Sequence, residues 1–528
     1  MMKQIKRLMN NKYLYYLISI FLIALLMLFD LKEKMINHPS KSYYIAYLII
    51  AFFISSITIA LIVFKNRKKV RIEKLFCILA TTLGLMYLVA SPLFTGSDEH
   101  NHYYRIYEIS SGVLITPIKD NKIVGTKMPK SLAETFENQA KELSNRNIYI
   151  KYHDEIKMMN NKITKEKIQY GTKYTTEYVN TALYSPVQYF PQVVGFLVGK
   201  LFNVGPFWLG ELGRIFNLIF YILICTYFLY KLPRLKTFAA IVLLSPTLLS
   251  NATTLSADGF TNALIFAFIA MIIYYRYNDR TLAIHDKILL LLLSAMLSLC
   301  KIVYLPFILF LIVIPKEKFL NTKQKLIFII TCLVIGSILG IGWIKITDRY
   351  FDVYYLNTET QKLHILRNLL GYFVVVLRTY CDSFSNLVFN IFGGNNLYHS
   401  QLAVYNIISV TYIIIVLFCF FEKESAKKYD TTNLETRDKL VLISLMLIII
   451  ALITTAIYIQ CTANFIMIDS PIIYGLQGRY YLPIVMCILL LGSKDKIKYR
   501  IENTKVLTDV CIICNMFILM QMVVQFLV

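Results

Sequence analysis

The chain has 528 residues, of which 57% are hydrophobic and 16% charged, with a mean hydropathy of +0.57. Soluble domains run at about 45–50% apolar and about 25% charged residues, so a string of soluble domains is excluded and an all-α polytopic membrane protein is predicted. The formal net charge of +23 would suggest nucleic acid in a soluble chain. Here the cations sit in short clusters between apolar runs, where they set topology. The bilayer is therefore the expected partner and nucleic acid is not. Most cysteines fall inside apolar runs and act as small hydrophobes, and Cys511-x-x-Cys514 has no redox or zinc context around it.

In chain order, Met1–Lys12 is basic and precedes an apolar run, Tyr13–Phe29, which Asp30-Leu-Lys-Glu33 follows in place of a small-residue cleavage site. An uncleaved first helix is expected. Tyr43–Phe64 ends at the densest cationic cluster, Lys65–Lys69, and Leu75–Phe94 forms a third run. Residues 1–74 read as an N-terminal transmembrane hairpin with a basic cytoplasmic loop, and 75–528 as the membrane core. Thr95–Ser185 is the largest polar segment, with 13 Lys or Arg and 11 Asp or Glu, and is expected as a large extracytoplasmic loop.

Ten further spans are expected at Leu212–Tyr230, Thr237–Thr254, Gly259–Tyr275, Ile288–Leu299, Val303–Ile314, Leu326–Trp343, Val404–Phe421, Leu440–Ile459, Tyr480–Leu491 and Val506–Val528, about thirteen in all. Ile288–Leu299 and Val303–Ile314 are short and read as a tight hairpin. Loops assigned inside hold 30 Lys or Arg and the short outside loops 8, a bias that places the N-terminus in the cytoplasm. Val187–Val204 is apolar but contains Pro191, Gly195, Gly199 and Lys200, and a full crossing there would put the later basic loops outside. It reads as re-entrant or interfacial, as does Leu369–Phe392, with Arg378 and Asp382.

Charged groups at membrane depth are costly and call for a role. Ser97 is the expected N-cap of a helix running to Ser111, with Asp98 and Glu99 in its first turn. Two acids there could simply complement the helix dipole, or a carboxylate could be held at the bilayer surface as base or metal ligand. Asp98 and His102 lie four residues apart and share a helical face, a weak divalent-cation pair. Arg214, Asp258, Lys301 and Arg479 also fall at outer ends of spans. Each alone reads as a snorkelling anchor or cap. Together they suit an anionic lipid phosphate and a proton acceptor, with Arg offering forked contacts.

Gly96-x-Asp-Glu-x-x-His102 with Tyr103, Arg105 and Gly112, then Tyr184-x-Pro-x-x-Tyr189, Gly213-Arg-x-x-Asn217, Ser256-x-Asp258, Lys301-x-x-Tyr304 and Gln477-Gly-Arg-Tyr-x-x-Pro483 resemble the bacterial membrane proteins grouped as domain of unknown function twenty-one-forty-two. That family in turn resembles the GT-C superfamily, glycosyltransferases that use polyprenyl-phosphate sugars. Ser97 stands where the family often has Pro, and Tyr13–Phe64 precedes the superfamily core.

The resemblance implies a GT-C-like fold in a bacterial plasma membrane and transfer, on the extracytoplasmic face, from a polyprenyl-phosphate sugar to a cell-surface glycan, polymer or lipid, with inversion. Asp98 would be the general base. Glu99 and His102 would position it or hold a divalent cation, and Asp258 would orient substrate or metal. Arg479, with Gln477 and Tyr480 beside it and Lys301 or Arg214 opposite, would hold the leaving phosphate. A glycolipid flippase or transporter would also use membrane cations, but the charges gather at one face and no internal repeat is found. A polysaccharide polymerase or ligase shares the arrangement.

Overall fold

The computed structural model describes residues 41–67, 70–120, 123–132, 168, 173–353, 355–393, 406–419, 436–491 and 505–527. The expected first span, Tyr13–Phe29, lies outside these residues. The described chain opens with α1 (Lys41–Arg67) and α2 (Ile72–Ala90), and α3 (Glu99–Ser110) follows a turn. Two small antiparallel pairs come next, which the all-α expectation did not include. β1 (Ile118–Lys119) pairs with β2 (Ile123–Val124), Ile118 opposite Val124, and β3 (Lys127–Pro129) pairs with β4 (Lys173–Thr175), Met128 opposite Tyr174.

α4 (Phe190–Leu201) packs against α5 (Pro206–Lys231). Its 12 residues rise about 18 Å, short of a hydrocarbon core of about 30 Å, so α4 does not cross by itself. Gly195 permits the close approach, because a Cβ there would lie 2.5 Å from the Leu212 carbonyl oxygen.

The expected single span Thr237–Thr254 is instead two short helices, α6 (Lys236–Leu243) and α7 (Pro246–Ala252). Pro246 has no N–H to continue the ladder and forces its predecessor out of the helical region, and Ser245 is extended at φ −61°, ψ 144°. α8 (Asp258–Tyr277) and α9 (Ile284–Cys300) follow. The expected helix Val303–Ile314 is a 3₁₀ segment, Ile302–Val313, around Pro306. The rest comprises α10 (Thr322–Thr347), α11 (Thr358–Arg367), α12 (Leu369–Phe389), α13 (Asn406–Cys419), α14 (Thr436–Ile457), α15 (Leu482–Leu491) and α16 (Lys505–Leu527).

Among the described residues seven helices are long and apolar enough to cross a membrane: α1, α2, α5, α8, α10, α14 and α16. The other expected spans within the described residues are shorter or broken. α12 exposes Leu370, Phe373 and Phe384 and buries Thr379 and Leu387, the two-sided character of an interfacial helix. α8 is apolar and buried nearly all round, as a central helix must be, and packs on α5, α7, α9 and α15. α1 rests on α16 through the buried pair Lys65–Asp509, 2.5 Å apart. These contacts fix the ends of α2, α5, α8 and α9, from which the polar groups of the next section project.

Candidate functional site

The break after α7 creates the platform of the site. A helix end leaves carbonyls without partners, and two residues of α5 satisfy those of α7. Arg214 Nε donates to the Thr253 carbonyl at 2.8 Å, and Asn217 Nδ2 donates to the Asn251 and Thr254 carbonyls at 3.0 and 2.8 Å. Gln192 Nε2 donates to the Ser256 carbonyl at 2.9 Å, and Glu99 Oε1 accepts from the Leu255 N–H at 2.9 Å. The turn at 253–256 is thereby held from three elements, and it delivers Asp258 at the start of α8.

Arg214 and Glu99 are consumed by this work. The Arg214 guanidinium also donates to Glu211 at 2.7 Å and to the Ser91 carbonyl and hydroxyl at 2.9 and 2.5 Å, and lies 3.8 Å from Glu99. Glu99 Oε2 accepts from the Gly96 N–H at 2.9 Å. The structure therefore places Arg214 and Glu99 in a closed buried node and not at an open surface.

Asp98, not Ser97, occupies the N-cap of α3. Its backbone is left-handed, φ 54° and ψ 22°, and its side chain makes no capping bond. The reason is local: the Glu99 carboxylate reaches back to the Gly96 N–H while Glu99 N donates to the Gly96 carbonyl, and the tight turn puts Asp98 at its tip. Phe94 is also left-handed, at φ 71°. Two such non-glycine residues in five mark a region held against its backbone preference.

The remaining expected groups come together. Lys301 Nζ lies 2.7 Å from Asp258 Oδ1, and Arg479 Nε lies 3.9 Å from Asp258 Oδ2 and has no hydrogen-bond partner among the described residues. Lys301 Nζ stands 5.5 Å from the Tyr480 ring centre and 5.8 Å from that of Tyr184, and the Arg479 guanidinium 5.6 Å from Tyr480. Gln477 is half-buried and its carbonyl accepts the Tyr480 N–H at 3.1 Å. Gly478 has to be glycine, because a Cβ would lie 2.3 Å from the Leu387 carbonyl oxygen at the end of α12. That contact fixes where Arg479 points.

His102 Nδ1 is 2.7 Å from the Tyr189 hydroxyl and its ring stacks on Tyr184. Burial drives the imidazole down to about 4; the Asp98 and Asp258 carboxylates oppose the shift without overcoming it, and Arg479 adds to it. His102 is neutral at physiological pH. Burial also opposes the charge on Lys301, but the Asp258 carboxylate overrides it and holds the ammonium well above its ordinary value.

Beside Lys301 opens a cleft of about 250 Å³ between α9, the 3₁₀ segment, α10 and α14. Its walls include Ile302, Trp343, Ile344 and Ile453, and Tyr184, Lys301, Gln460 and Tyr480 are among its polar lining. An apolar volume beside a fixed ammonium suits an amphiphile with an anionic head.

For a divalent cation, the expected pair Asp98 and His102 supplies two protein donors. Among the described residues no three His, Cys, Asp or Glu side chains gather to hold a metal, and Asp258 Oδ1 is committed to Lys301. The set does not form a protein cage, which takes three or four ligands.

Sequence reasoning missed Asn217 and Gln192 as builders, Glu211 as the partner of Arg214, and Trp343 in the cleft. The spacing Gly213-Arg-x-x-Asn217 puts the two capping side chains on one face of α5 and was the available signal.

A family model described as "Predicted membrane protein (DUF2142)" matches residues 81–488, so the chain belongs to that family. No curated protein and no solved structure matches the chain.

Proposed function

We propose that this chain, a DUF2142 membrane protein, is a glycosyltransferase that moves a sugar from a polyprenyl-phosphate donor to a hydroxyl of a cell-surface glycan, polymer or lipid. The observation that carries the reading is an apolar cleft lined by Lys301, whose partner Asp258 also faces Arg479. The polyprenyl chain lies in the cleft and its phosphate takes the place of Asp258 against Arg479, whose Nε has no hydrogen bond among the described residues. The acceptor oxygen attacks the anomeric carbon, the bond from that carbon to the phosphate oxygen breaks, and the phosphate leaves with the electron pair. Asp98 takes the acceptor proton. Lys301 and Arg479 stabilise the charge that grows on the phosphate, and the single displacement inverts the anomeric centre.

Asp258 keeps Lys301 charged and oriented. His102, neutral and tied to Tyr189, positions the helix start that carries Asp98 and does not itself move a proton. Arg214 and Glu99 act on the platform and not on the substrate. In this reading the chain sits in a bacterial plasma membrane with its N-terminus cytoplasmic and this site on the outer face. The test compares the surface glycans, by composition and mass, of a deletion strain complemented with wild type or with Asp98→Asn. Loss of one glycan substituent in both the deletion and the variant is expected. Wild-type glycan from a membrane-inserted Asp98→Asn protein would sink the mechanism.

A further inference from the structure

The polar face of α7 has no part in the chemistry above. Thr247, Ser250 and Asn251 fall at i, i+3 and i+4 of α7, one helical stripe, and Thr254 follows in the turn after it, on a stretch that otherwise has the apolar content of a membrane span. All four line a pocket together with Ser97 and Arg479. Buried polar atoms are nearly always paired. Thr247 and Asn251 are each only 6% exposed, yet among the described residues Thr247 Oγ1 and Asn251 Nδ2 have no hydrogen-bond partner, and neither does Arg479 Nε on the same pocket. Broken backbone at membrane depth is tolerated where it is enclosed by protein or lines a polar cavity, and the Ser245–Pro246 break is where the apolar α6 gives way to this stripe.

The pocket has about 20 Å³ of room, enough for one water-sized group and not for a sugar ring. Its open atoms comprise an amide donor, a hydroxyl that can donate or accept, and a guanidinium donor. An alcohol oxygen accepts from both N–H donors and gives its own proton to the threonine hydroxyl, and it fits the room; a phosphate group could accept from the same three atoms but is larger than one water-sized group. We infer that this pocket receives a hydroxyl or hydroxymethyl arm of the sugar carried on the lipid phosphate, so that α7 selects which sugar is transferred. The inference rests on the lipid-phosphate reading of the cleft and adds the sugar contact to it, with Arg479 shared between the two.

The test uses the full chain in nanodiscs, with Trp208→Phe so that the fluorescence is that of Trp343, which lines the cleft. Undecaprenyl phosphate is titrated bare and then carrying a hexose, a pentose or an N-acetylhexosamine. The bare lipid should bind, and at least one glycosylated form should bind about tenfold more tightly, the size of one net hydrogen bond. Asn251→Leu and Thr247→Val should each remove that gain and leave the bare lipid unchanged; monodisperse elution identifies a variant that folds, and either variant suffices. Equal binding of bare and glycosylated lipid, or a gain that survives in both variants, overturns the sugar contact while the phosphate reading stands. A raised KM for the acceptor with no loss of donor affinity assigns the pocket to the acceptor and overturns it as well. No binding of the bare lipid removes the phosphate reading itself, a failure visible before any variant is made.

Discussion

Two charged regions lie side by side in this molecule and are built on opposite principles. In the node, Arg214 and Glu99 are 0–1% exposed and the guanidinium donates to three carbonyls, a hydroxyl and a carboxylate. In the cluster around Asp258, Lys301 and Arg479, side chains keep 15–18% exposure, one ion contact is stretched to 3.9 Å and Arg479 Nε has no hydrogen bond among the described residues. The backbone differs in the same sense, since Arg214 and Glu99 sit in regular helix while Asp98 is left-handed. A closed network specifies structure, because each donor already has its acceptor. An open one beside a cleft has capacity left for a ligand. The contrast assigns two arginines of equal charge to different work.

The largest expected effect tests the open side. Asp98→Asn nearly conserves shape and removes proton acceptance, so transfer should fall about 10²–10⁴-fold while binding of undecaprenyl phosphate is kept. Single-turnover transfer and nanodisc binding, measured on the same preparation, separate the two. Near-normal transfer would reduce Asp98 to a helix-terminus charge.

Next in size is the exchange of the two arginines. Arg214→Met strands Glu99 and Glu211 in the interior and should cost about 3–5 kcal/mol of stability, read as a drop in thermal midpoint. Arg479→Lys keeps the charge, loses the fork and should weaken phosphate-lipid binding about tenfold with little change in midpoint. If Arg479→Lys destabilises as much as Arg214→Met, the cluster is structural and the contrast fails.

Much of the fold was legible before any coordinates. α5 and α8 run for 26 and 20 residues at high mean hydropathy, and that length and composition read as spans. Thr237–Thr254 was misread because average hydropathy passes over Pro246 and over a polar stripe of small side chains that weigh little in a sum. The site was legible as a set of charges and not as two sets. Arg214 and Arg479 present the same guanidinium to a reader of sequence, and only the neighbours decide: Ser91 and Thr253, distant in the chain, meet Arg214. The pairing of Lys301 with Asp258 across 43 residues was likewise out of reach, although both had been placed at outer ends. Ser97 was preferred as a cap by type alone, and the competing bond from the Glu99 carboxylate to the Gly96 N–H was not visible from type.

A smaller effect concerns His102, which lies between the two regions. Its pKa is depressed to about 4 against an unfolded value of about 6.5, so the unfolded chain takes the proton first. The folded state loses nothing above pH 6.5, loses stability as pH falls from 6.5 towards 4, and loses no more below that. At pH 5 the loss should be about 2 kcal/mol, and His102→Gln should remove that part of the acid sensitivity. Thermal midpoints at pH 7.5 and 5 check it. An equal acid shift in wild type and His102→Gln would mean that the imidazole is solvated.

The smallest effect isolates the backbone of Asp98 from its carboxylate. A left-handed residue with a Cβ costs about 1 kcal/mol or somewhat more, which glycine avoids. Asp98→Gly and Asp98→Ala both lose the carboxylate and should be equally inactive, so any difference between them is conformational. Asp98→Gly should be more stable than Asp98→Ala by about 1 kcal/mol, and guanidinium or thermal melts in detergent can resolve that. Equal stability would mean that the turn relaxes once the side chain is gone, and that the carboxylate itself holds position 98 in its left-handed conformation. The stated difference would locate the constraint in the Gly96–Glu99 turn. The closed node would then supply the hold, through Glu99, that presents Asp98 to the open one.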